Sequence, residues 1–205
     1  MLLKTCFVEV CLQFHRDRSL IDRLWTDISA KYSGKSRYYH NLHHLTDMLA
    51  QLESCRPLIS NWDCVIFALV YHDIIYGVTS NDNEEKSAAE ARRNLVALNV
   101  SQAKISLTEE LILATKTHQP ATNNDINLFT DADLSILGTS DERYKIYSQQ
   151  VRKEYSIYPD ILYNRGRRKV LEHFLEMPVI FKTDFFRDKL EVAARRNLEN
   201  ELKGL

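Results

Sequence analysis

Apolar residues recur at three- and four-residue spacing along almost the whole chain, the period of a helix with one buried face. A first segment at about 6–15 is followed by Leu20, Ile21, Leu24, Ile28 and Tyr32, a stripe broken by Ser-Gly-Lys at 33–35. A third helix is predicted over about 39–55, carrying Leu42, Leu45, Leu49 and Leu52, with Pro57 closing that region. The run at 62–71 is apolar on every side, so its period fits a buried helix or a buried strand, and its helical neighbours favour helix. A loop at 77–81 leads into a helix that opens on Asn83-Glu84-Glu85 and reaches Leu98, its acids suited to a helix N-terminus. Ser106 and Glu109 have capping-box spacing ahead of a helix through about 117, and 120–127 is polar loop. A short helix at 131–137 is stopped by Gly138, and Ser140 caps the next, over 141–155. Two more are predicted at 165–175 and 185–202. With about nine helices, no strand alternation, no repeat and no linker, the reading is a single all-α domain over 1–205.

Composition narrows the classes. The 205 residues carry 27 Lys+Arg against 28 Asp+Glu, a net charge of −1, which argues against a nucleic-acid partner held by a broad basic face. The basic run 165–169 reads as a solvated helix start. Five glycines and four prolines, about 2% each against usual frequencies of about 7% and 5%, fit long helices and few tight turns. No stretch approaches the ~18 apolar residues of a membrane span, and Glu9 interrupts the apolar start, so neither a membrane anchor nor a secretion leader is expected. Cys6, Cys11, Cys55 and Cys64 form no CxxC and read as reduced, buried thiols of a cytoplasmic protein.

The chemistry concentrates in three places. In Tyr39-His40-Asn41-Leu42-His43-His44, the i, i+4 spacing of His40 and His44 puts both on one face if the segment is helical, with His43 beside them. His72-Asp73 ends the most apolar helix, where an imidazole and a carboxylate are costly unless they satisfy one another or converge on a cation. Asp131 and Asp133 point about 200° apart on a helix of 3.6 residues per turn, so one of them faces any given site, and Asp133, beside the core stripe, is the better candidate. Imidazole and carboxylate donors together suit Mn, Fe, Co, Ni or Zn better than Mg or Ca.

The order His44, then His72-Asp73, then Asp133 resembles the H…HD…D signature of the HD superfamily of metal-dependent phosphohydrolases, whose fold is all-helical. The segments YYHNLHHL, LVYHDIIY, NEEKSA, LFTDADLSILG, VRKEY, NRGRRKVLEHFL and ARRNLENEL look like a small bacterial branch of it. The resemblance covers a motif-bearing core at about 39–137, with C-terminal helices at about 141–202 packed on it. It implies His44, His72, Asp73 and Asp133 as ligands of a divalent transition metal (Mn, Co, Ni, Zn or Fe), one per chain. YHNxxH is also similar to cyclic nucleotide phosphodiesterase catalytic domains, which implies His40 as the general acid beside the ligand His44.

The same resemblance implies further roles. Asp73 would orient water as well as bind metal, and Glu84 would meet that water or hold His40. His118, Lys116, Arg152 and His43 are candidates for phosphate or substrate contact. The carboxamide that holds a purine in the phosphodiesterases is not located here, so cyclic nucleotides are not implied. The implied activity is hydrolysis of a phosphate ester or anhydride bond in a nucleotide or another small phosphorylated metabolite. A nucleotide-binding or regulatory module with little turnover, and a di-iron oxygenase on the same scaffold, are the rival readings. A homodimer is left open.

Overall fold

The computed structural model describes residues 3–205, and all regular structure in them is helical. The expectation of no secretion leader rests partly on residues 1 and 2, which lie outside the described residues. Ten α-helices run in the order α1 (Leu3–Cys11), α2 (Arg18–Tyr32), α3 (Leu42–Ser54), α4 (Trp62–Tyr71), α5 (Asn83–Ala97), α6 (Gln102–Ala114), α7 (Asn124–Asp133), α8 (Asp141–Glu154), α9 (Asp160–Glu176) and α10 (Asp184–Gly204). Short 3₁₀ turns occupy Arg56–Leu58 and Leu134–Gly138. The all-α, single-bundle expectation holds.

The bundle is organised around α4. Residues Cys64 to Tyr71 are all buried, with α1, α3, α5 and α6 packed around them. A helix apolar on every side is stable only when wrapped by others, which settles the helix-or-strand ambiguity of this run. Its axis therefore delivers His72 and Asp73, the two residues after Tyr71, into the interior.

Helix α7 is pinned at both ends by buried aspartates. Asp125 accepts hydrogen bonds from the Ser60 and Asn61 amides and from the Asn61 side chain, tying the start of α7 to the start of α4. Asp131 accepts from the Lys182 and Thr183 amides and the Thr183 hydroxyl, tying the end of α7 to the turn before α10. Between these two anchors α7 packs on α3, which brings Asp133 to His44.

Several boundaries differ from the sequence reading. Asn41 caps α3, its side-chain oxygen accepting from the His43 amide at 2.8 Å, so Tyr39 and His40 lie in the preceding turn. A short polar side chain that bonds its own backbone stops a helix from running backwards through it. Ser106 and Glu109 lie inside α6 and form no capping box; the helix begins after Ser101. Thr108 between them is buried and donates to the Lys104 carbonyl, as an interior residue does. The stretch expected as loop at 120–127 already contains the Asn123 cap and first turn of α7. The short helix expected at 131–137 is the end of α7 plus a 3₁₀ turn. Ser140 caps α8 as expected, and α9 begins at Asp160.

The 3₁₀ turn packs on α10, where Asn197 donates to the Leu137 and Thr139 carbonyls. Gly138 is buried in this contact; a Cβ there would stand 2.5 Å from the Leu190 Cβ and 2.8 Å from its carbonyl oxygen. Backbone atoms cannot step aside as a side chain tip can. Gly138→Ala is therefore expected to destabilise the fold by about 1–3 kcal/mol, read as a lower urea midpoint at unchanged slope. The four cysteines are buried and unpaired. No helix among the described residues is long and apolar enough to cross a membrane.

Candidate metal centre

Three elements meet at the C-terminal end of α4. Helix α3 presents His44 from its first turn, the end of α4 presents His72 and Asp73, and the last residue of α7 is Asp133. The His44 and His72 Nε2 atoms are 3.3 Å apart. One Asp133 oxygen lies 3.3 Å from the His44 Nε2 and 3.8 Å from the His72 Nε2. An Asp73 oxygen lies 3.2 Å from the His72 Nε2 and 4.0 Å from the His44 Nε2. The donor atoms of His44, His72 and Asp133 all fall within 4.8 Å of one another.

These separations suit a cation. With metal–ligand bonds of about 2.0–2.2 Å, the edges of a tetrahedron are about 3.3–3.6 Å, close to the spacing observed. The Nδ1 of His72 lies 3.0 Å from the Leu69 carbonyl, and a proton donated there leaves Nε2 with its lone pair toward the cluster. His44 and His72 are 4% and 1% exposed, so the pair has little water to satisfy it. The donor set is therefore able to hold a divalent transition ion.

The electrostatics agree. Burial opposes charge on His72, but the adjoining Asp73 carboxylate outweighs it and pushes the imidazole up to about 9. Burial would raise the Asp73 carboxyl; the facing imidazoles, His72 first, hold it far below the usual carboxylate range instead, and Asp133 is held low by His118 and His44. A metal entering the site must displace the proton of His72. Apparent metal affinity is thus expected to rise about tenfold per pH unit between pH 7 and 9 and to level off above, since one proton is released per ion bound. A chelator-competition titration across that range checks the slope.

Beside the cluster stands His40. Its Nδ1 is 2.6 Å from Glu154, whose other oxygen accepts the Tyr39 and His40 amides at 2.7 and 2.9 Å. The Tyr76 hydroxyl donates to the same carboxylate, and the Tyr76 ring stacks on His40 with centroids 4.3 Å apart. Burial disfavours the imidazolium, yet the Glu154 hydrogen bond and the field of Asp73 and Asp133 raise its pKa above the ordinary value. Although His40 precedes the helix, its ring reaches to 5.9 Å from that of His44, so the two converge by the turn and not by the i, i+4 register. Arg37 fastens this turn to the next element: its guanidinium donates to the His40, Asp73 and Ile74 carbonyls.

The remaining candidates are spread more widely. His118 Nε2 is 3.0 Å from the second Asp133 oxygen, so that carboxylate divides its oxygens between His118 and the His44–His72 pair. His118 also has φ 52°, a left-handed conformation uncommon for a non-glycine residue and frequent near functional sites. Glu84 lies 3.9 Å from Lys116, and it is Glu154, not Glu84, that holds His40. Lys116 is bound by Glu85 and the Asn81 carbonyl. Arg152 is engaged by Asp160 and by the Tyr155 and Tyr158 carbonyls at the α8–α9 corner. His43 is exposed beside Asp47. Asp131, fully buried on its amides and 3.2 Å from the Lys182 ammonium, is an anchor of the fold.

Sequence reasoning misses Glu154 and Arg37. Glu154 has a signal: Tyr144, Tyr147, Val151 and Glu154 share one face of α8, and a carboxylate on an apolar stripe demands a partner. Arg37 has none, because it acts through backbone carbonyls that no residue type marks. Compared with models of known families, with curated proteins and with solved structures, the chain gives no match, so the site is read on its own geometry.

Proposed function

We propose that the chain is a metal-dependent phosphohydrolase acting on a small phosphorylated metabolite. The observation that carries this reading is the juxtaposition of the His44, His72, Asp73 and Asp133 donors with the His40–Glu154 pair. A metal-binding pocket alone would need no adjacent imidazole bound to a buried carboxylate. The resemblance of the motifs to the HD superfamily supports the same reading.

A divalent ion held by the four donors would supply positive charge for the phosphoryl oxygens and a water nucleophile at neutral pH. The chain's own residues do the rest. His72 and Asp73 sit on the turn that Arg37 fixes, so the donors are held in place before substrate arrives. The Glu154 hydrogen bond works against burial to favour the imidazolium of His40, which can pass its proton to a departing alkoxide. Hydrolysis would yield an alcohol and phosphate. The role of His118 turns on Asp133: were its second oxygen and His118 to hold a second ion, a di-iron oxygenase would be the rival chemistry.

The test is phosphate release by full-length protein reconstituted with Mn, Co, Ni, Zn or Fe in turn. Turnover of at least one phosphomonoester or diester by wild type, absent from His72→Ala under the same loading, is expected. No release from any ester with any of these metals would overturn the reading.

A further inference from the structure

A cavity of about 570 Å³ opens beside His40, between the 72–78 segment, α8 and α9. That size lies in the range of small-molecule sites, about 300–1,000 Å³. Its wall includes His40 but none of the four metal-ligand candidates. A phosphoryl group lying between those donors and His40 would therefore turn its ester oxygen toward His40, and whatever that oxygen carries would enter the cavity.

The lining says what can enter. Five rings, those of Tyr76, Tyr147, Tyr155, Tyr158 and Tyr163, make up much of the wall, with valines and a leucine between them. Apart from His40, already paired with Glu154, the cationic residue on the wall among the described residues is Arg167, and both oxygens of Glu201 hold its guanidinium at 2.8 and 2.9 Å, so its charge is already answered before a second anion arrives. Among the described residues, no carboxamide, serine, threonine, lysine or carboxylate lines the cavity. A polar ring edge would leave its hydrogen-bonding groups without a fixed partner apart from tyrosine hydroxyls. Leu162 and Val170, 57% and 43% exposed, flank the solvent side.

We propose that this cavity takes the leaving group of the substrate, and that this group is an uncharged, flat aromatic ring held by stacking and shape. The statement about the leaving group rests on the phosphohydrolase reading above. Recognition is then by ring faces and is indifferent to the hydrogen-bonding pattern on the ring's edge. Tyrosine faces favour offset or edge-to-face partners, which an alkyl chain cannot supply.

Three esters of primary alcohols separate the terms: benzyl, hexyl and ethyl phosphate, all losing alkoxides of similar basicity. With metal-loaded full-length protein, KM for benzyl phosphate should be at least tenfold below that for ethyl phosphate and several-fold below that for hexyl phosphate. Gly166 lines the cavity, and a Cβ there meets nothing within 4 Å, so Gly166→Phe adds a ring at the cavity wall with no clash at its Cβ. That variant should raise the benzyl phosphate KM at least tenfold and weaken binding of 2-naphthol, measured by calorimetry, by a similar factor. Naphthol binding that Gly166→Phe abolishes, with no ester hydrolysed, would keep the ring site and remove the hydrolase reading. Equal KM for benzyl and ethyl phosphate, or for benzyl and hexyl phosphate, with all hydrolysed, would overturn the ring site and leave the hydrolase. So would failure of 2-naphthol to bind the wild type.

Discussion

Asp133→Asn is expected to abolish turnover while Asp131→Asn, two residues away, is expected to unfold the protein's C-terminal packing and spare metal chemistry in whatever stays folded. Asp133 is within reach of three imidazoles: 3.3 Å from His44, 3.8 Å from His72 and 3.0 Å from His118. A carboxamide in its place loses the anionic donor and sets an N–H₂ group against ring nitrogens. Outer partners of metal ligands are typically worth about 10–100-fold, so a direct donor should cost more, and a fall in kcat/KM of about 10³ or greater is predicted. Asp131 instead neutralises the buried Lys182 and receives three donors from 182–183. Burial already pulls the Lys182 ammonium below its ordinary pKa, and Asp131 is the carboxylate that opposes this most strongly. Breaking such a pair costs about 3–5 kcal/mol, visible as a lower urea midpoint. Loss of activity with stability kept in one variant, and the reverse in the other, is the pattern to measure.

The second large effect is a dependence on the leaving group. His40→Asn should lower kcat about 10²–10⁴-fold on alkyl phosphates, where the departing alkoxide needs a proton. On 4-nitrophenyl phosphate, whose phenolate departs unaided, the same variant should lose little. A merely structural role for His40 would depress both alike. Glu154→Gln keeps an acceptor for the Tyr39 and His40 amides but removes the charge that raises the His40 pKa. With that charge gone the acid loses its proton at a lower pH, so the alkaline limb of the kcat profile on alkyl phosphates should move toward acid. Steady-state profiles over pH 5–10 give both results.

Much of this was legible in the residues themselves. The helical period placed nearly every element, and the apolar run 62–71 announced a central helix even though its period alone allowed a strand. His72 and Asp73 stand out because an imidazole and a carboxylate at the end of such a run have no cheap alternative, while His44 and Asp133 join them through the resemblance of the motifs. Two kinds of feature stayed hidden. Helix starts governed by a single side chain were misplaced, as at Asn41, where one hydrogen bond to the His43 amide moved His40 off the helix. Contacts across the fold were also missed, since Glu154 lies 114 residues from the histidine it holds. Local spacing reports on a turn or two of helix; it carries no direct sign of which surfaces meet. The tyrosine cavity belongs to the same class, because its rings come from the 72–78 segment and from α8, α9 and the turn between them.

The most direct test of the account is metal content by plasma mass spectrometry on untagged wild-type protein, prepared without chelator, beside His72→Ala. About one divalent transition ion per chain in the wild type, and less than a tenth of that in the variant at equal folded fraction, is the predicted result. No ion in either protein, and none taken up when Mn, Co, Ni, Zn or Fe is supplied, would contradict it.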